Sequence, residues 1–172
     1  MSADKSVRMS RKRLLQWLVL AVTVVILDQA SKYTAEYLLH YQIPVPVLPS
    51  LNWFLSYNPG AAFSFLSDAG GWQRWFFTIM ALVVSTGIAI WLSRLSDNSR
   101  WEALSLSLIL GGAMGNVIDR MVLGHVIDFI QVYYDRWYFP TFNLADSAIS
   151  VGVAVLIIDS LFLQKNKDKA DD

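Results

Sequence analysis

Two short stretches of this 172-residue chain, Val126-Ile127-Asp128-Phe129 and Phe142-Asn143-Leu144-Ala145-Asp146, place a carboxylate at the edge of an apolar, membrane-type segment. Acidic groups are costly to hold in such places, which makes them candidates for function. Two carboxylates sharing one site do not ionise independently: one keeps a proton while the other serves as a base, and such a pair can activate water. Whether Asp128 and Asp146 can do so depends on their reaching the same side of a membrane.

Composition points to a lipid solvent. Apolar residues make up 55% of the chain and charged residues only 16%, against about 25% charged in an ordinary soluble domain. With no cysteine there is no disulfide, thiolate nucleophile or cysteine metal site, and His40 and His125 are too few for a histidine-rich metal cage. A hydrolase built on this chain works through oxygen chemistry, and no metal or cofactor is expected. The net charge of zero says nothing by itself about partners, and no nucleic-acid partner is expected.

Four apolar runs, Leu14 to Leu27, Trp75 to Leu92, Ala103 to Gly115 and Leu144 to Leu163, predict four membrane-spanning helices. Crossing the hydrocarbon takes about 20 helical residues, so the first and third runs must include the polar residues that follow, Asp28 to Lys32 and Asn116 to Arg120. A cleaved signal peptide competes for the first run, with Arg11, Lys12 and Arg13 as its basic start, but no A-x-A site follows Leu27.

Most of the basic residues fall in three places: before span one (Lys5, Arg8, Arg11, Lys12, Arg13), between spans two and three (Arg94, Arg100), and after span four (Lys165, Lys167, Lys169). The positive-inside rule then puts both termini in the cytoplasm and segments 34–71 and 121–142 outside. The expected organisation is a basic tail over 1–13, a four-helix membrane domain over 14–163 including those outer segments, and a tail over 164–172. Pro44, Pro46 and Pro49 interrupt an Ile43, Val45, Val47 pattern, and Leu51 to Tyr57 reads as a strand closed by Asn58-Pro59-Gly60, after which Ala61-Ala62-Phe63 re-enters apolar surroundings. A small strand-rich layer at the outer face follows. Tyr133, Tyr134, Trp137, Tyr138 and Phe139 suit the headgroup level as anchors.

On this topology Asp28, Lys32, Asn116, Asp119, Arg120, Asn143 and Asp146 all converge on the outer side. Asp28 and Lys32 are i and i+4, as are Asn116 and Arg120, so each pair shares a helix face. Asp28, Lys32, Asn116, Asp119 and Arg120 read as a structural network of ion pairs and amides near the interface, with substrate contact as the alternative. Asp119 has Arg120 beside it as a ready partner. Asn58 fits turn formation or substrate binding. Gly111 and Gly115, with Gly112 between, permit close helix approach. Asp159 lies 13 residues beyond Asp146, about 20 Å deeper along one helix, and cannot join an outer pair. Asp128 and Asp146 therefore remain as the candidate dyad, against a structural or ion-conducting use of the same acids.

Five motifs in order, Asp28-Gln29-Ala30-Ser31-Lys32, Asn58-Pro59-Gly60-Ala61-Ala62-Phe63, Gly111 to Arg120, Val126 to Phe129 and Phe142 to Asp146, make the chain resemble the bacterial lipoprotein signal peptidases, or signal peptidase II, over roughly residues 14 to 163. The resemblance implies an intramembrane aspartyl endopeptidase of the cell inner membrane that removes the signal peptide of a prolipoprotein before a diacylglyceryl-modified cysteine. Asp128 and Asp146 map onto its catalytic aspartates, while Asn58, Gly112, Asn116, Arg120 and Asn143 would bind substrate or support the site. It also implies membrane lipid as surroundings, inhibition by globomycin, and Asp28 and Lys32 as structural residues. No H-E-x-x-H, Ser-His arrangement or Gly-x-Gly-Asp motif supports another protease class. The alternative from a different class is a small proton-coupled transporter or channel, in which Asp28, Asp119, Asp146 and Asp159 would form a relay through the bilayer.

Overall fold

The computed structural model describes residues 8–60 and 71–163. Helix α1 (Arg11–Leu38) is followed by strands β1 (Val45–Leu48) and β2 (Leu51–Asn58), helices α2 (Trp72–Arg94) and α3 (Arg100–Val122), strands β3 (Val126–Tyr134) and β4 (Trp137–Tyr138), and helix α4 (Leu144–Ile158). A π-helical turn over Asp159–Leu163 extends α4. Four helices are long and apolar enough to cross a membrane, as the four apolar runs predict. The expected re-entry at Ala61-Ala62-Phe63 and the tail lysines lie outside the described residues.

Helices α1 and α4 start where the sequence supplies a side-chain cap. The Ser10 hydroxyl accepts from the Arg13 amide at the head of α1, and α4 begins in a capping box between Asn143 and Asp146. Helix α1 runs past Lys32 to Leu38, five residues into the segment assigned to the outer layer. That extra length carries exposed Tyr33 and Tyr37, rings that tolerate the boundary between lipid and water. It stops before Pro44, in keeping with the extended backbone that prolines impose.

Helix α3 is the hub, packed against α1, α2 and α4. Its glycines make that possible. A Cβ on Gly111 would sit 2.6 Å from the Ala21 carbonyl oxygen of α1, and one on Gly112 would collide with the Ala145 carbonyl oxygen of α4. Close backbone approach replaces the hydrophobic drive that lipid cannot supply between helices. Large apolar side chains such as Leu15, Val19, Val22, Ile26, Ile79 and Val83 point outward, the inverse of a soluble protein.

Outside the helices, β1 to β4 form one antiparallel sheet in sequence order. Asn58 of β2 pairs with Val126 of β3, and Ser56 pairs with Asp128, which sets Asp128 beside the end of β2. Phe142 then returns alongside Ile130, so the chain enters α4 directly beneath β3. Trp137 and Tyr134 are about four-fifths exposed, at 82% and 80%, as headgroup-level anchors should be. Phe139, grouped with them from sequence, is likewise exposed and also borders the cavities described below. At the far end Met9, Leu92, Leu95, Ala103 and Leu106 form an apolar cluster that ties the start of α1 to the α2–α3 connection.

Because Gly112 touches α4 one residue before Asp146, Gly112→Ala should force the two helices apart. The expected loss of stability is about 1–3 kcal/mol, measured as a lowered thermal midpoint in detergent; an unchanged midpoint would contradict this packing.

Candidate active site

The outer ends of α1, α3 and α4 meet β3 around four aspartates and one lysine. Asp128 is 1% exposed and lies on β3. Its Oδ1 accepts from Asn143 Nδ2 at 2.8 Å and its Oδ2 from Asn58 Nδ2 at 3.1 Å. Asp146, half-buried in the first turn of α4, accepts from Asn116 Nδ2 at 2.8 Å on Oδ1 and from the Asn143 main-chain amide at 3.3 Å on Oδ2. Asn143 thus touches both carboxylates, one with its side chain and the other with its backbone. The sequence expectation that the loop between β3 and α4 folds back to bring Asp128 and Asp146 together agrees with this arrangement.

The amides cannot turn round. Asn143 Oδ1 accepts from the Asp146 amide while its Nδ2 donates to the Ile127 carbonyl, so main-chain groups fix both of its ends. Asn58 Oδ1 accepts from the Gly60 amide, which leaves only its NH2 for Asp128. The turn reading for Asn58 is met by its oxygen, while its NH2 contacts Asp128. Asn116 receives Lys32 Nζ at 2.9 Å and Asn143 Nδ2 at 3.1 Å on its oxygen, so its NH2 faces Asp146.

Behind this layer lies a buried ion cluster. Lys32 Nζ sits 2.7 Å from Asp28 Oδ2 and 2.8 Å from Asp119 Oδ2, with all three side chains at most 2% exposed. The i, i+4 pairing of Asp28 with Lys32 is as the spacing predicts. The expected partner of Asp119 is not: it pairs with Lys32, whereas Arg120 donates to the Gly60 and Asn116 carbonyls on another side of α3. Consecutive helical residues point about 100° apart, so neighbours in sequence do not share a face. Gln29, given no role from the sequence, donates to Asp119 Oδ1 at 2.7 Å and to the Gly115 carbonyl. No local spacing places it there, since it lies about 100° round the helix from Asp28. Arg74 was also missed; it donates to the Met121 carbonyl and so caps the end of α3.

Two cavities open on the dyad. One of about 520 Å³ is lined by Asn116, Arg120, Phe142, Asp146 and Ile149. The other, about 380 Å³, reaches Asp128 past Ser56, Tyr57 and Gln131. Asn58, Phe139, Pro140 and Thr141 border both. Asp159, buried toward the other end of α4, stays apart from the outer cluster.

Burial pushes the Asp128 carboxyl up to about 7, and the nearby charge of Asp146 adds to this; the hydrogen bond from Asn58, the charge of Lys32 and the Asn143 hydrogen bond work the other way. The unfolded chain would release that proton near 3.8. The native state therefore holds more protons between those values, and this group's contribution to stability falls as pH rises from about 4 to about 7.

Four helices of spanning length under a small antiparallel sheet, with a polar cleft at the end nearest the sheet, define a multi-pass membrane protein. Two solved structures described as bacterial membrane enzymes, determined by the in meso method at 2.3 and 1.9 Å, share this fold. The first has a TM-score of 0.76 and 31% identity, covering 93% of this chain and 94% of that one. The second has a TM-score of 0.72 and 31% identity, covering 91% and 97%. Residues 20–162 match the family described as Signal peptidase (SPase) II. The lipoprotein signal peptidase of an Acinetobacter baumannii strain is 54% identical over 156 residues, covering 91% of this chain and 89% of that protein. The one from a Pseudomonas aeruginosa strain is 52% identical over 160 residues, covering 91% and 94%. The chain belongs to the signal peptidase II family.

Infrared difference spectra should contain a protonated carboxyl band that titrates near pH 7 and is missing from Asp128→Asn. A band unaffected by that substitution would place the proton elsewhere.

Proposed function

We propose that this protein is an aspartyl endopeptidase of the bacterial inner membrane. It removes the signal peptide of prolipoproteins by cutting before the diacylglyceryl-modified cysteine, with Asp128 and Asp146 as the catalytic pair. The observation that carries the reading is the bridge through Asn143, whose side chain holds Asp128 and whose backbone holds Asp146. Membership of the signal peptidase II family and the names of the relatives support the substrate class.

The chemistry follows from the environments of the two acids. Asp128, the more deeply buried, carries the shared proton. Asp146 faces the larger cavity at the amino end of α4, where the helix dipole favours negative charge, and takes a proton from water. Asp128 donates to the scissile carbonyl and stabilises the tetrahedral oxyanion, with Asn58 and Asn143 holding its carboxyl in place. Water attacks the carbonyl carbon, the C–N bond breaks, and the proton taken by Asp146 goes to the leaving amine. Arg120 and Asn116 line the cavity and orient the peptide. The lipid-facing side of that cavity suits a substrate whose acyl chains stay in the bilayer.

Both termini lie in the cytoplasm and the site opens at the periplasmic face, as the basic residues at the ends and in the middle of the chain imply. A globomycin-type peptide would compete for the same cavity. The proton-relay alternative asks for acids spread through the bilayer depth, whereas Asp28, Asp119, Asp128 and Asp146 cluster at one end of the bundle and Asp159 lies at the far end of α4.

Purified protein should cleave a diacylglyceryl-modified prolipoprotein, seen as a mass shift, and Asp128→Asn or Asp146→Asn should each lower turnover by about 10³-fold or more. Persistent cleavage in either folded variant would overturn the assignment. Activity should also fall as pH rises through about 7, because the proton on Asp128 is then lost. Asn58→Leu, which removes a donor favouring the carboxylate, should move that alkaline limb upward in a pH–rate profile.

A further inference from the structure

The buried ion cluster does more than neutralise charge. Asp28 Oδ1 accepts from the main-chain amide of Ala145 at 2.9 Å, and Ala145 immediately precedes Asp146. Asp119 Oδ2 accepts from the main-chain amide of Ile127 at 3.2 Å, and Ile127 immediately precedes Asp128. Each carboxylate outside the pair therefore grips the backbone one residue before a carboxylate inside it. Lys32 stands between the two grips, 2.7 Å from Asp28 and 2.8 Å from Asp119, and its third contact is the Asn116 oxygen whose amide faces Asp146.

Resting on the aspartyl reading above, we propose that Asp28 and Asp119 are positioning residues for the reaction: each clamps the backbone beside one catalytic aspartate, and Lys32 fixes the span between the clamps. Neither touches the cavity that holds Asp146. They act through the main chain and so set the separation and aim of the two carboxylates.

The geometry is demanding at Asp28. Its two oxygens are committed to donors, Oδ1 to the Ala145 amide and Oδ2 to the Lys32 ammonium, neither of which can accept in return. A carboxylate satisfies both; an asparagine has one acceptor and must turn its NH2 against one of them. Gly115 leaves room for this carboxylate, since a Cβ there would lie 2.5 Å from Asp28 Oδ2. Asp119 is more tolerant. Its Oδ2 serves both Ile127 and Lys32, while Oδ1 meets the Gln29 amide, which can present its oxygen there by giving up its hydrogen bond to the Gly115 carbonyl, a loss that leaves both main-chain grips intact. An asparagine at 119 can keep the main-chain grip.

The test compares Asp28→Asn, Asp119→Asn and Gly115→Ala in the full-length protein in detergent, reading kcat and KM per folded molecule on the diacylglyceryl-modified prolipoprotein. Displacing a reacting group by about 1 Å costs about 100-fold in rate. That is the expected fall in kcat for Asp28→Asn and for Gly115→Ala, which alters no polar group, with KM changed by less than about threefold. Asp119→Asn should lose less than about tenfold. A role in charge balance or folding alone would make the two asparagine variants alike, spare kcat per folded molecule, and leave Gly115→Ala fully active.

Should Asp28→Asn fail to fold, Gly115→Ala, which crowds the Asp28 carboxylate while leaving Lys32, Asp119 and Asn116 in place, carries the test, with the same fall in kcat at nearly constant KM expected. Wild-type turnover per folded molecule in Gly115→Ala, or equal turnover in the two asparagine variants, overturns the proposal. Asp128→Asn and Asp146→Asn run in parallel. Cleavage that survives in either removes the aspartyl reading itself, whereas cleavage lost there but intact in Asp28→Asn removes only the clamp.

Discussion

A lysine ammonium that is 1% exposed, inside a bundle surrounded by lipid, has to be met by acceptors on every side, and the rest of the outer site is arranged to do so. Asp28 comes from the same helix one turn earlier, Asp119 and Asn116 from α3. Leaving any of these groups alone would strand a charge in an apolar medium, so α1 and α3 are tied at their outer ends by electrostatics rather than by apolar burial. Every remaining acceptor on the two carboxylates is then used to hold something else: the starts of β3 and α4, and the Gln29 amide.

From that anchor the polarity of the site propagates outward through amides. Lys32 can only donate, so Asn116 presents its oxygen inward and its NH2 to Asp146. Asn143 is fixed independently by main-chain groups at both ends, and Asn58 by its own turn. Three asparagines with no rotational choice surround the two outer aspartates. Such preorganisation suits the acid–base pair proposed for Asp128 and Asp146, because dipoles already aimed at reacting atoms do not have to reorganise during reaction.

The same economy governs the helices. Lipid offers no hydrophobic reward for helix association, and α3 gains its neighbours by bringing bare backbone into contact at Gly111, Gly112 and Gly115. Two of these glycines also serve the polar layer directly: Gly112 lets α4 lie close behind Asp146, and Gly115 leaves space for the Asp28 carboxylate. Packing and site geometry at this end of the bundle are one constraint.

The sequence by itself determined the four spans, the extended texture of the outer layer and the convergence of the polar helix ends, because apolar run length, proline placement and the i, i+4 spacing are local properties. The pairing of Asp28 with Lys32 was legible for the same reason. What only the tertiary structure decided was which partner each polar group takes across helices: Lys32 rather than Arg120 for Asp119, Gln29 within the ion cluster, and the amides of Ile127 and Ala145 on Asp119 and Asp28. Those contacts join residues up to 117 positions apart in the chain. They depend on helix rotation and approach, which the packing of α3 against its neighbours sets and which no local pattern of residues encodes.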